Sequence, residues 1–215
     1  MSPKIPIILT LKKESQKKIA RAQDIIVEEM IKSFDNIVLH GGTAIWRCYN
    51  GNRFSEDVDV YISKKADEID GFFDNLKKRG MILEKKKVGE NSLYSNLKYE
   101  NVMVRFEAVF KSIKGELKEY ETTEGNLITL RTLLPEELIK EKINAYLKRL
   151  KVRDLYDIFF LLRHVRDKKR IKNELERLLR NFKNPVDEKD LQLLIITGLT
   201  PNVREMLNYI GREIK

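Results

Sequence analysis

The sequence predicts an α+β fold, with a mixed sheet and its helices over residues 1–132 and a helical bundle over 133–215. Three observations lead there. Phe54–Ile62 alternates strictly between apolar and polar residues in its later half, the period of a half-buried strand, and Met81–Val88, Ser92–Tyr99 and Val102–Phe110 look like three further strands. After Thr132 the apolar spacing changes to the helical one and keeps it to the end of the sequence. Hydrophobic residues make up 42% of the 215, enough for a packed core in each part.

Taken in order, Lys12–Ser33 carries Ile19, Ala22, Ile25, Ile26 and Met30 at helical spacing, one amphipathic helix. Asn36–His40 is a short apolar run stopped by Gly41-Gly42, a buried strand entering a turn, with a short helix over Thr43–Tyr49. In Phe54–Ile62, Val58, Val60 and Ile62 share one face, and Asp57, Asp59 and Tyr61 the other. Asp67–Arg79 reads as a helix closed by Gly80. Three strands follow, the last two joined at Glu100-Asn101, and Leu127–Leu130 is expected as an edge strand. Pro135-Glu136-Glu137 opens the helical part, with proline in the first turn and acids at the positive end of the dipole. Breaks are expected near Lys151, Asn184-Pro185 and Thr200-Pro201.

Composition narrows the function classes. The longest uncharged apolar stretch, around Leu191–Leu199, is too short to span a bilayer, and Met1–Thr10 lacks the pattern of a secretory signal. A single cysteine, Cys48, excludes an intramolecular disulfide, so a cytoplasmic protein with no membrane partner is expected. The net charge is +9, and 15 Lys and Arg stand against 6 Asp and Glu between Lys140 and Lys183. That excess favours a polyanionic partner, although a solvated helical surface would look the same.

The chemistry is concentrated in Leu39-His40-Gly41-Gly42-Thr43-Ala44 and Arg53-Phe54-Ser55-Glu56-Asp57-Val58-Asp59-Val60. Asp-x-Asp on a strand puts two carboxylates on one face, about 7 Å apart. Like charges that close need a cation between them or a shared proton. A hard divalent ion with oxygen ligands meets that need, Mg²⁺ above all, and a pair of ions would clamp both oxygens of a phosphoryl-type transfer. Gly41 and Gly42 let the backbone approach a ligand, and the helix start behind them favours phosphate, with the Thr43 hydroxyl as a further donor. Gly-Gly alone is usually a turn, and Asp-x-Asp alone usually a solvated edge. Their conjunction, with 14 residues between Gly42 and Asp57, is much less easily accidental. Glu107, a lone acid in the apolar strand Val102–Phe110, is the third candidate metal ligand, unless it merely pairs with Arg105 on the surface.

These residues resemble the nucleotidyltransferase superfamily with a polymerase-β-like palm. More narrowly, His40–Ile45 and Arg53–Asp59 look like the AbiEii/AbiGii type of abortive-infection toxin family. Leu138–Ala145 is similar to that family's helix with an essential lysine, which falls on Lys142, and Arg153-Asp154-Leu155-Tyr156-Asp157 to its later acidic motif. The resemblance covers about residues 38–162. It implies transfer of a nucleotide from an NTP, in relatives to the 3′ end of tRNA, and a separately encoded antitoxin as partner. One departure is that the superfamily often has serine after the first glycine, where this chain has Gly42 and then Thr43.

The expectation is therefore a nucleotidyltransferase palm with a C-terminal helical bundle, working in a cleft between the two parts. Asp57, Asp59 and Glu107 would hold two Mg²⁺ ions, and Gly41, Gly42, Thr43, Ser55, Lys142 and Asp157 would bind the NTP. Glu107 would assist deprotonation of the acceptor hydroxyl, Lys142 would neutralise triphosphate charge, and Asp154 would orient that lysine, hold the nucleobase or acceptor, or merely cap a helix. Two rivals remain open: transfer to a small molecule or a protein, and a catalytically silent nucleic-acid-binding module. His40 and His164 show no ligand pattern and read as structural, and Tyr156, Phe159, Phe160 and Leu161 as core.

Overall fold

The computed structural model describes residues 5–63 and 65–214. The chain divides into two units. One comprises the residues up to Cys48 together with Phe54–Leu133, the other Tyr49–Arg53 together with the residues from Leu134 onward.

The first unit is built on a seven-stranded sheet. Its elements are α1 (Ile7–Thr10), α2 (Glu14–Ser33), β1 (Ile37–His40), α3 (Gly41–Cys48), β2 (Val58–Ile62), α4 (Ala66–Lys78), β3 (Met81–Val88), β4 (Ser92–Tyr99), β5 (Val102–Phe110), β6 (Glu116–Glu121) and β7 (Leu127–Thr132). The strand order is β3-β4-β5-β2-β1-β7-β6. It is a mixed sheet, because β2 runs parallel to β5 and β1 parallel to β7 while the other neighbours are antiparallel.

Alternation decides what each face does. Val58, Val60 and Ile62 of β2 and Val104, Phe106 and Ala108 of β5 are buried. Phe106 packs against Phe72 of α4 at 5.0 Å between ring centroids, and Phe72 against Phe34 at 5.3 Å. The opposite face carries Asp59, Tyr61, Arg105 and Glu107, all half-buried. Arg47 ties the helices of this unit to the sheet. It is buried, donates to the carbonyls of Ala20 and Glu121 and to Asp24, and lies over the Trp46 ring at 4.2 Å.

Three expectations change. The strand expected from Phe54 begins at Val58, since the preceding carbonyls serve side chains instead of a neighbouring strand: Ser55 accepts from Gln23 and Asp57 from Thr43. Leu127–Leu130 opens β7, which lies inside the sheet between β1 and β6, and the strand at that edge is β6, which the sequence pattern does not reveal. Alternating charge conceals β6, and charge of that kind is how edge strands avoid pairing with other chains. The glycine pair is the first turn of α3 rather than a loop before it.

The second unit is helical. It contains α5 (Pro135–Arg149), α6 (Val152–Leu161), α7 (Lys172–Arg180), α8 (Leu191–Leu194) and α9 (Val203–Glu213). Leu150, in the left-handed conformation, stops α5 and lets α6 fold back against it. Ile139, Ile143, Leu155, Ile158, Leu178, Met206 and Ile210 form its core. Tyr156 and Phe160 are buried with them, and Phe159 is half-buried edge-on to Tyr209 at 5.1 Å. Tyr49–Arg53 joins this unit through hydrogen bonding: Ile196 donates to the Asn52 carbonyl, and Arg53 makes an isolated bridge with Ile195. Among the described residues no helix is long and apolar enough to cross a membrane.

Candidate active site

Asp59 sits between two register partners, His40 on the antiparallel β1 and Glu107 on the parallel β5. Asp57 precedes β2 by one residue and is held from both sides. Its carbonyl accepts a hydrogen bond from Thr43, and its carboxylate one from Arg105. Arg105 also pairs with Glu107, Nε to Oε1 at 3.1 Å. Three acids thus gather on one half-open sheet face around a single guanidinium. Gly41 completes the floor. Its φ is +71°, and a Cβ there would lie 2.3 Å from Asp59 Oδ2, so a side chain at this position collides with the carboxylate.

Burial pushes the Glu107 carboxyl above its ordinary value. Arg105 opposes that shift, while Asp59 and Asp57 add to it. Among the described residues no three His, Cys, Asp or Glu side chains converge on a common point, with Arg105 drawing Asp57 and Glu107 to itself. The donor set nevertheless suits a hard divalent ion. All three groups are carboxylates, and the side chains of Asp57 and Glu107 keep 24% and 40% of their exposure. An ion here would take over the charge compensation that Arg105 now provides.

A second ionic cluster lies within the helical unit. Asp157 is 1% exposed and receives Arg53 through two parallel bonds of 2.8 Å, with Lys142 Nζ at 2.7 Å. Asp154, fully buried, is gripped by Arg149 through two bonds of 2.7 Å, with Lys142 at 3.7 Å. Burial works against the charge on Asp157, but Arg53 and Lys142 outweigh it and hold its carboxyl below the ordinary range. The Asp154 side chain does not cap α6.

This pairing of an acid-bearing sheet with a braced helical unit has known relatives. The family model described as the AbiEii nucleotidyl transferase toxin of type IV toxin–antitoxin systems matches residues 28–210. The chain belongs to this family. The AbiEii fold recurs in solved structures. The nucleotidyltransferase toxin MenT4 of Mycobacterium tuberculosis H37Rv is similar with a TM-score of 0.66 and 14% identity, over 97% of this chain and 86% of that one. JHP933 of Helicobacter pylori is similar with the same TM-score and 21% identity, over 95% of this chain and 92% of that one. No curated protein sequence matches this one. As an AbiEii member the chain is a nucleotidyltransferase.

Against that AbiEii background the expected site residues fall into two groups. Asp57, Asp59, Glu107 and Gly41 come together on the sheet, whereas Lys142, Asp154 and Asp157 come together in the helical unit. Two expectations need correction. Thr43 offers no hydroxyl to a phosphate, because it is fully buried and donates to the Asp57 carbonyl. Lys142 and Asp157, expected on the NTP, are bonded to each other, and Asp157 is saturated by Arg53 as well. Ser55 is buried, with its carbonyl taken by Gln23. Sequence reasoning offers Arg105 as a partner of Glu107, which the structure shows, but misses its bond to Asp57; it also misses Arg53 and His40, the last read as structural yet opposite Asp59 and stacked on Tyr61 at 4.2 Å. Their only sequence signal is position, since Arg53 opens the Asp-x-Asp motif and His40 precedes the glycine pair.

Proposed function

We propose that the chain transfers a nucleotide from a Mg²⁺-bound NTP to the terminal hydroxyl of an RNA, with the 3′ end of tRNA as the acceptor its family resemblance favours and a separate antitoxin as its restraint. The observation that carries this reading is the register of Asp59 against Glu107 on parallel neighbours, with Asp57 two residues before it on the same face. Divalent ions bound there would polarise the phosphoryl group and steady the charge that develops on the attacking and leaving oxygens. Asp57 and Asp59 would be the principal ligands.

Glu107 joins them and, as the register partner of Asp59, is placed to assist removal of the proton of the acceptor hydroxyl. Thr43 contributes at one remove, fixing the Asp57 backbone so that its carboxylate keeps its aim. The Gly41-Gly42 turn supplies backbone N–H groups at the start of α3 for the triphosphate. Lys142 and Asp154 are positioning residues that, with Asp157, Arg53 and Arg149, brace the helical unit.

The test is incubation with each labelled NTP, Mg²⁺ and total RNA. One RNA species should gain label, and Asp57→Asn or Asp59→Asn should lower that transfer at least ~10³-fold, the scale on which losing key electrostatic stabilisation acts. Label retained by either variant ends the metal-site reading. Label appearing on protein or a small molecule redirects the acceptor but not the chemistry.

A further inference from the structure

The sheet face that carries the three acids also holds a recess that the proposed chemistry leaves unused. Its volume is about 560 Å³, and among the described residues its charged lining is Lys111, Lys114 and Arg131. Tyr61, Asn36 and Ser112 contribute the rest of its polar wall. All three cations are exposed, and among the described residues none of them is in an ion pair. Two acids that neighbour lining residues in sequence have cations of their own: Asp35, beside Asn36, pairs with Lys65 at 3.3 Å, and Glu116, beside Gly115, with Lys118 at 3.4 Å.

The recess is a built feature of the fold. A Cβ at Gly115 would lie 2.8 Å from the Thr132 carbonyl and 3.0 Å from Val38 Cγ1, so the Lys111–Gly115 connection lies tight against β1 and β7. The Lys111 amide donates to the Ile62 carbonyl, which fixes the other end of that connection to β2.

Position gives the recess its meaning. In the antiparallel pairing of β1 and β2, His40 opposes Asp59 and Val38 opposes Tyr61, which stands two residues, about 7 Å, beyond Asp59 on the same face. The Gly41 turn leaves β1 at its Asp59 end, while the recess lies at the other end, around Ile37 and Val38. The acids therefore stand between a glycine turn and a cationic recess. In phosphoryl-type transfer the attacking and leaving oxygens lie on opposite sides of the reacting phosphorus. With the triphosphate at the glycine turn, the acceptor has to arrive from the side of the recess.

We infer that the Lys111–Lys114–Arg131 recess binds the phosphate backbone of a single-stranded RNA acceptor just upstream of its terminal hydroxyl, with the Tyr61 ring as a stacking surface for one base. This rests on the reading of the acceptor as RNA given above. A cationic groove combined with an aromatic platform is how single strands are held without regard to sequence, the lysines and arginine meeting phosphates and the ring meeting any base.

The test compares the full chain with the triple variant Lys111→Ala/Lys114→Ala/Arg131→Ala, using fluorescence anisotropy of a short labelled single-stranded RNA across a salt series. The variant should bind at least ~10-fold more weakly, and the slope of log affinity against log salt should fall by about two, at ~0.7 for each phosphate no longer neutralised. Tyr61→Ala should weaken binding several-fold at any salt, with Tyr61→Phe restoring it. Calorimetric affinity for a Mg²⁺–NTP should be unchanged in the triple variant. Equal RNA binding by both proteins overturns the recess while leaving RNA as acceptor. Loss of NTP affinity in the triple variant overturns it in favour of a triphosphate site. Absence of RNA binding by the unaltered chain overturns it together with the RNA acceptor, and leaves Asp57→Asn to judge the metal site alone.

Discussion

Asp59 and Asp157 are both acidic residues of AbiEii-like motifs, yet their surroundings are opposite. Asp59 belongs to a half-exposed set of three carboxylates facing one guanidinium. Asp157 belongs to a buried set of two carboxylates facing Arg53, Lys142 and Arg149. A solvent-reached acid cluster is open to a cation, whereas a buried cluster bonded on several sides holds structure together. Clusters that share an acidic motif therefore separate once their burial is compared.

The comparison breaks first, and by the largest margin, on stability. Asp157→Asn leaves Arg53 and Lys142 facing a neutral group in a buried site and should cost about 3–5 kcal/mol, read as a lower urea midpoint. Asp57→Asn and Asp59→Asn, expected to abolish transfer, should leave that midpoint unchanged or raise it, because each removes one of three neighbouring like charges. A marginal effect of Asp157→Asn, or severe unfolding of Asp59→Asn, would reverse the assignment of the two clusters.

Much of this is legible in the sequence, and the exceptions share a cause. Strands β4 and β5 carry the period-2 pattern within their own residues, so their spans need no outside information. Asp57, Asp59 and Glu107 stand out in the sequence as acids of strand-like runs, two of them in one Asp-x-Asp. Arg53 does not stand out, because its bond to Asp157 spans 104 residues, and of Arg105 only the pairing with its near neighbour Glu107 is legible, its bond to Asp57 spanning 48. Thr43 misleads for a similar reason. A hydroxyl after two glycines suits a phosphate, and only the fold turns it inward onto the Asp57 carbonyl. Strand β6 is hidden because four of its six residues are charged and its exposed Leu117 and buried Tyr120 fall on opposite faces, leaving no apolar period to read.

A smaller effect tests the sign of the charges. The Asp157 carboxyl is depressed below its ordinary 3.8, so its contribution is complete above that pH and is lost as pH falls through the folded value. The stability gap between the unaltered chain and Asp157→Asn should therefore hold from neutral pH down to about 4 and narrow below it. Glu107 has the opposite sign, its carboxyl being raised above 4.5, so the folded state binds its proton more tightly than the unfolded chain. Rising pH through that interval weakens folding, and Glu107→Gln should be no less stable than the unaltered chain at about pH 7. Urea midpoints at stepped pH values distinguish the two, and parallel pH profiles for both variants would contradict the pairing described.

The smallest effect concerns Arg105, the residue that now stands in for a cation. Its guanidinium is half-exposed and bonded to both Asp57 and Glu107, so a divalent ion has to break those bonds to gain the same carboxylates. An exposed pair of this kind is worth at most about 1 kcal/mol. Arg105→Gln removes the competitor, and the Mg²⁺ concentration giving half-maximal transfer should fall roughly two- to five-fold, the change that such an energy allows. The same variant measured without Mg²⁺ should lose a little stability, since three acids are then left facing one another. If the Mg²⁺ requirement instead stays fixed while the NTP concentration needed for half-maximal rate rises, Arg105 serves the triphosphate directly. The sheet cluster would then contain a phosphate ligand in place of a stand-in for the ion.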